Sequence, residues 1–314
     1  MLTRSTRIAR PLSSSLCTMP KPTVAKNLQG KVKVGGTNGD ELTHKLSDGN
    51  EIPQFGLGVY EMGDQATYDA CITALKDGYR HIDTAEWYEN EAPVGRAVRD
   101  FVSSSGVPRS EIFVTSKLMR NRTYDLALAD LKNSLQEAGL DYFDLYLMHS
   151  PLGGAAKRKE VWRALLAARD QGLVKSVGVS NFGAKHIDEM IEDGVELPVL
   201  NQIDLHPFMR HPDIVDACEK HNIALEAWAP LARGLRFDHP VVIKMREKYG
   251  KTSAQIFLRW GLQHGYIVIP KSANPKRIVE NAQIFDFEIS QEDMDELDDL
   301  DEYLVTDWDV VGAD

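Results

Sequence analysis

Residues 112–149 read IFVTSKLMRNRTYDLALADLKNSLQEAGLDYFDLYLMH. The stretch opens on a β-prone run, Ile112–Ser116, and closes on another, Leu145–His149. Between them Leu126, Leu128, Leu131, Leu135 and Ala138 trace an apolar stripe, which predicts a helix over Tyr124–Ala138. Gly139 follows as its stop. Strand, helix and strand in succession imply parallel pairing, and apolar strands of this kind are buried on both faces.

The same alternation extends both ways along the chain. Further strand candidates are Gln54–Val59, Arg80–Asp83, Ser176–Ser180, Val199–Asp204, Ala224–Trp228 and Ile267–Pro270, making eight in all. Helical periodicity fills Val161–Gln171, Asp213–His221, Ser253–Gln263 and Gln291–Leu300. Eight such units in a chain of 314 residues predict an α/β fold, a single closed (β/α)8 TIM barrel. Upstream, His44–Leu46 and Glu51–Pro53 flank Ser47-Asp48-Gly49-Asn50, a hairpin with an Asp-Gly turn placed to close the bottom of the barrel. The barrel domain is expected over residues 40–314.

Composition narrows the function. With 36 basic and 47 acidic residues the net charge is −11, which argues against a nucleic-acid partner. No apolar run reaches the roughly 18 residues of a membrane span. Cys17, Cys71 and Cys218 form neither a disulfide framework nor a zinc motif, so a reducing compartment and no metal are expected. Residues 1–39 stand apart, with seven basic residues and no acidic one. They read as a disordered extension ahead of a second start at Met19, or else as an organellar transit peptide. The cytoplasm is the expected location, with mitochondria the alternative if that segment targets the chain.

A barrel places chemistry at the carboxyl ends of its strands. Those ends carry Tyr60, Asp83, Lys117, His149, Ser180-Asn181, Gln202, Trp228 and Lys271, with Tyr88 just past the second. Asp and Lys are tolerated in buried strands only when paired, and Asp83 and Lys117 fall on neighbouring strands. An ammonium beside Tyr88 favours phenolate and is expected to lower the phenol from its usual value of about 10. Tyr88 would then serve as a general acid, with His149 donating to the same substrate oxygen. Together the four would polarise a carbonyl and protonate it as a hydride arrives.

At this point the chain resembles the aldo-keto reductases, over about residues 40–310. The carrying motifs are Gly56-Leu57-Gly58-Val59-Tyr60, His81-Ile82-Asp83-Thr84-Ala85, Thr115-Ser116-Lys117-Leu118, Leu147-Met148-His149-Ser150-Pro151, Gly178-Val179-Ser180-Asn181-Phe182, Ile269-Pro270-Lys271-Ser272 and Arg277-Ile278-Val279-Glu280-Asn281. The resemblance implies a catalytic tetrad of Asp83, Tyr88, Lys117 and His149, with Tyr88 the proton donor. It implies hydride transfer from a nicotinamide without metal or flavin, in a monomer. His149 points to carbonyl reduction, because relatives that reduce steroid carbon–carbon double bonds carry Glu there.

The cofactor reading is consistent with the residues. Ser180, Asn181 and Gln202 offer the donors and acceptors that hold a carboxamide, and Trp228 offers a flat face to the nicotinamide. Lys271, Ser272 and Arg277 suit a 2′-phosphate, which favours NADPH over NADH. By resemblance, Gly58 and Val59 border the cofactor and Glu280 and Asn281 approach its adenine. Where relatives carry Tyr-Ser-Pro-Leu-Gly this chain has Trp228-Ala229-Pro230-Leu231-Ala232.

Tyr60, Trp87 and Trp228 are expected to line an aromatic mouth for a small carbonyl substrate. Ser150, where many relatives carry Trp, would widen it. The short stretch Leu152–Glu160 suggests a shallow, permissive pocket that Trp308 of the tail could fold over. Two other functions fit part of this pattern: a nucleotide-binding regulatory subunit with little turnover, and an aldolase using Lys117 as a Schiff-base amine. Asp83 disfavours the second by keeping Lys117 charged.

Overall fold

A computed structural model describes residues 42–314. The extension over residues 1–39, with Cys17, lies outside the described residues. Two short strands, β1 (Thr43–Lys45) and β2 (Glu51–Pro53), form the expected hairpin, with His44 opposite Ile52. Eight parallel strands follow: β3 (Leu57–Gly58), β4 (His81–Asp83), β5 (Phe113–Leu118), β6 (Phe143–Met148), β7 (Val174–Ser180), β8 (Leu200–Ile203), β9 (Ala224–Ala227) and β10 (Ile267–Val268). Each pairs with its sequence neighbour. The seam between β3 and β10 is shut by backbone bonds: Gly56 N donates to Val268 O at 3.0 Å and Val268 N to Gln54 O at 2.9 Å. Isolated bridges join Phe55 to Val268 and Gly58 to Lys271. Glycine is required at this seam, because a Cβ on Gly58 would lie 2.8 Å from the Ile269 carbonyl oxygen.

Among the described residues ten α-helices wrap the sheet: α1 (Asp64–Lys76), α2 (Glu91–Ser105), α3 (Tyr124–Ala138), α4 (Ala155–Asp170), α5 (Ala184–Glu192), α6 (Pro212–Lys220), α7 (Pro240–Tyr249), α8 (Ser253–Gln263), α9 (Pro275–Asn281) and α10 (Gln291–Asp298). The limits of α3 and α8 match the sequence reading. Helix α8 starts where Thr252 and Gln255 cap each other's backbone N–H groups. Helix α3 ends at Gly139, left-handed at φ 61°. Its buried face, however, is Ala127, Leu131, Ser134, Leu135 and Ala138, and Leu126 is exposed. Three members of the predicted stripe, Leu131, Leu135 and Ala138, are thus buried and Leu128 is half-buried against the core, with Ala127 and Ser134 completing the inward face.

Helix α10 carries the acidic residues Glu292, Asp293, Asp295, Glu296 and Asp298. Its acidic run is not wholly solvated: Asp293 is buried, accepting from Lys248 Nζ at 2.5 Å, from Tyr249 and from Ser290 Oγ.

The hairpin does close the bottom. Leu46 and Ile52 join Phe113, Leu145, Leu147, Val199, Leu200, Ala224 and Ile267 in one apolar plug. Asp48 and Asn50 of its turn bond Ser176 Oγ at 2.7 and 2.9 Å. No described helix is long and apolar enough to cross a membrane.

Candidate active site

Every strand delivers its predicted residue to the opposite end, and four of these residues form one connected group. Lys117 is wholly buried on β5, and its Nζ donates to Asp83 Oδ1 at 2.6 Å, to the Thr84 carbonyl at 2.8 Å and to the Tyr88 hydroxyl at 3.2 Å. Burial opposes its charge, yet Asp83 and Tyr88 together raise Lys117 above its ordinary value, so it is an ammonium. Burial pushes the Asp83 carboxyl up, and Lys117 is the charge that opposes it.

Tyr88 sits on a single turn of 3-10 helix, Glu86–Tyr88, that returns the chain over the end of β4. Its phenol is raised, not lowered: burial outweighs the pull of Lys117, and Asp83 adds to the rise. The cation is visible in the sequence; the burial is not. His149 lies with its ring centroid 5.7 Å from that of Tyr88. Burial first and Lys117 second hold it far below its usual value, so the imidazole is neutral. Its Nδ1 is buried without a partner among the described residues.

Above this group lies a cavity of about 290 Å³ lined by Gly58, Tyr60, Trp87, Tyr88, His149, Ser180, Asn181, Gln202, Trp228, Ile269, Lys271 and the tail residues Asp307 and Trp308, with Asp83 at its floor. A groove of about 960 Å³ leads on from it, sharing Tyr60, Trp228 and Lys271 and running past Ser272, Arg277, Glu280 and Asn281. Three predicted residues line neither: Lys117, wholly buried and bonded to Asp83 and Tyr88, together with Val59 and Ser150. Val59 is buried in the core, its backbone N–H given to the Asp83 carbonyl at 3.1 Å. Ser150 is buried, its carbonyl accepting from Asn121 Nδ2 at 2.8 Å. A strand residue next to a site glycine points the other way, which explains Val59.

The side chains expected to meet a carboxamide are already ordered by one another. Asn181, left-handed at φ 60°, donates to the His149 carbonyl and to Ser180 Oγ, and its Oδ1 accepts from Trp228 Nε1 at 3.0 Å. That bond fixes the indole between the cavity and the groove. Ser180 Oγ donates to the Gln202 carbonyl at 2.8 Å. Just past Trp228, Ala232 holds φ 46°, a left-handed conformation that costs a side chain about 1–2 kcal/mol and glycine little.

The pocket is not shallow. The tail folds over it, held by Thr306 on Asp204 at 2.8 Å and by Leu304 N on the Phe208 carbonyl at 2.9 Å. Beyond the pocket, Lys185 Nζ grips the Gly312 carbonyl at 2.8 Å. Trp308 thereby packs edge-on against Trp87, with centroids 5.3 Å apart. Burial, and after it the neighbouring Asp307, lift the Tyr60 phenol to about 12. The sequence reading missed Asp307 and Glu226. Glu226 announced itself only as an acid amid the apolar run Ala224–Trp228.

Three comparisons bear on this site. The Aldo/keto reductase family profile matches residues 54–302. Glyoxal reductase of Bacillus subtilis is 46% identical over 261 residues, covering 82% of this chain and 92% of the relative. An aldo-keto reductase of Mycolicibacterium smegmatis is 46% identical over 250 residues, 79% and 90% of the two chains. Among solved structures, an aldo/keto reductase from Brucella melitensis superposes with a TM-score of 0.79 at 44% identity, covering 83% of this chain and all of the other. An aldo-keto reductase of Bombyx mori in complex with NADP gives 0.79 at 33% identity over 84% and 94%. The eight-stranded barrel, the extent of these matches and the group at its carboxyl end agree: this chain belongs to the aldo/keto reductase family, and its chemistry is the oxidation and reduction of carbonyl compounds.

Proposed function

We propose that the chain is an NADPH-dependent reductase of small aldehydes and ketones, with Tyr88 as the proton donor. One observation carries the reading: Lys117 Nζ binds Asp83 Oδ1 and the Tyr88 hydroxyl at once, at the floor of the cavity. The groove fits the cofactor by its own chemistry. Lys271, Ser272 and Arg277 gather two cations and a hydroxyl where a 2′-phosphate would lie, and Trp228 stands fixed at the junction with the cavity. The solved relative complexed with NADP supports the same choice. Bound there, a reduced nicotinamide supplies the hydride.

The remaining work falls to the chain's own side chains. A phenol raised by burial keeps its proton at neutral pH, which is the state a proton donor must start in. Neutral His149 offers an N–H to the carbonyl oxygen and adds no charge to it. As negative charge grows on that oxygen, Tyr88 releases its proton, and Lys117 stabilises the phenolate left behind. Trp87, Trp228 and Trp308 exclude water from the carbonyl. The small cavity, and a relative named for glyoxal, support small substrates.

Loss of NADPH absorbance with a panel of small aldehydes tests this. Turnover is expected in the wild type, with Tyr88→Phe slower by about 10²–10⁴-fold at unchanged NADPH affinity. Tight NADPH binding without turnover on any carbonyl would replace the proposal with a regulatory subunit.

A further inference from the structure

Glu226 is wholly buried in the middle of β9 and plays no part in the mechanism above. Its Oε2 accepts from Gln202 Nε2 at 2.8 Å, and the same nitrogen donates to Asp83 Oδ2 at 2.9 Å. One side-chain amide therefore spends both of its N–H groups on two carboxyls. That fixes which end of the amide is nitrogen, and leaves the Gln202 oxygen as the end for a ligand in the cavity it lines.

The charges around Glu226 do not balance if both carboxyls are ionised. Strand β4 presents Asp83 and His81, with His81 Nε2 3.6 Å from Glu226 Oε1. Burial pushes His81 down to about 3, so it brings no charge. Strand β5 brings Lys117, already paired with Asp83. Strand β8 brings only the neutral Gln202, and β10 faces Glu226 in register with the apolar Ile267. Tyr88, on the turn after β4, is the remaining titratable neighbour. One ammonium thus faces two carboxyls, and Glu226 Oε1 has no hydrogen-bond partner among the described residues. Burial, and after it Asp83, lift Glu226 to about 8, so at neutral pH it carries a proton.

We propose that Glu226 is a positioning residue: through the shared Gln202 amide it orients the carboxamide-holding group, and its ionisation sets how much negative charge lies behind the Asp83–Lys117–Tyr88 chain. The proposal rests on Tyr88 being the proton-transferring group. Its consequence shows in alcohol oxidation with NADP+, where Tyr88 must be a phenolate to accept the alcohol proton. An ionised Glu226 holds the Tyr88 phenol up and delays that phenolate to higher pH.

The test is the pH profile of kcat/KM for alcohol oxidation in the wild type, E226Q and E226L. Glutamine keeps an acceptor for Gln202 and removes the charge. Its ascending limb is expected about one pH unit lower than that of the wild type. Leucine removes the acceptor too, so E226L should show the same shift with an NADP+ KM about tenfold higher, as the loss of one buried hydrogen bond predicts. Profiles of both variants that superimpose on the wild type would overturn the proposal, whatever happens to thermal stability. Isotope-edited infrared spectra give a second route that needs no activity. A carboxylic-acid C=O band missing in E226Q should fade in the wild type as the pH passes about 8, and its absence at neutral pH would sink the idea. A wild type inert in both directions, or a Tyr88→Phe enzyme that keeps the limb, condemns the underlying reading of Tyr88 instead.

Discussion

At the amino-terminal mouth of the barrel, Leu46 and Ile52 of the hairpin drop into a plug of seven further apolar side chains. At the carboxyl-terminal mouth the closure is made by an acidic tail and by residues that keep unmet needs. His149 Nδ1, Asp204 Oδ1 and Glu226 Oε1 are buried there or just beneath, with no hydrogen-bond partner among the described residues. One mouth gains stability from every contact it makes. The other keeps polar groups out of water, at a cost in stability. The same strands serve both ends because alternate side chains, and the two ends of each strand, are independent choices.

That contrast can be broken from either side. The largest effect belongs to the plug: Ile52→Ala, at a wholly buried position, should lose about 2–4 kcal/mol in urea unfolding. Its kcat/KM well below the melting range should match the wild type, and a matching fall in both would show that the two mouths are coupled. A smaller effect belongs to the tail. Trp308→Ala opens one wall of the cavity and should raise the carbonyl KM about tenfold, roughly 1.4 kcal/mol, with the thermal midpoint unmoved. A drop in the midpoint instead would make the tail part of the structural core.

The smallest effect is in pH. Burial pushes Asp204, the anchor of Thr306, up to about 7. A carboxyl raised on folding contributes stability that is complete below its unfolded value of about 4 and is lost as the pH climbs through about 7. Asp204→Asn removes that dependence. Its midpoint, relative to the wild type, should therefore rise between mildly acidic and alkaline pH by about 2–4 °C. Only the difference between the two proteins is informative, because Glu91, lifted to about 7 by burial, titrates over the same range.

Much of the fold and of the site is legible in the amino-acid sequence. Asp83, Lys117 and His149 can be found because each marks the end of an otherwise apolar strand, and α8 can be bounded because Thr252 and Gln255 spell out its cap. The seam is harder. Gln54–Val59 reads as a six-residue strand, yet its ladder shrinks to Leu57–Gly58, with isolated bridges on the β10 side. Closing a barrel depends on where distant segments meet, which no local pattern encodes. The direction of the Tyr88 shift escapes the sequence for a related reason: the neighbouring cation is visible there, whereas the depth of burial belongs to the assembled cavity. Val59 and Ser150 are drawn into the site by adjacency in the chain, and alternation carries them out of it.

The tryptophans have a further consequence. The chain holds five, and Trp87, Trp228 and Trp308 line the cavity while Trp162 and Trp260 are buried elsewhere. Three of the five indoles therefore sit around the site. The protein carries an intrinsic fluorescent reporter, whose quenching by a bound nicotinamide would read occupancy directly, with no turnover and no label.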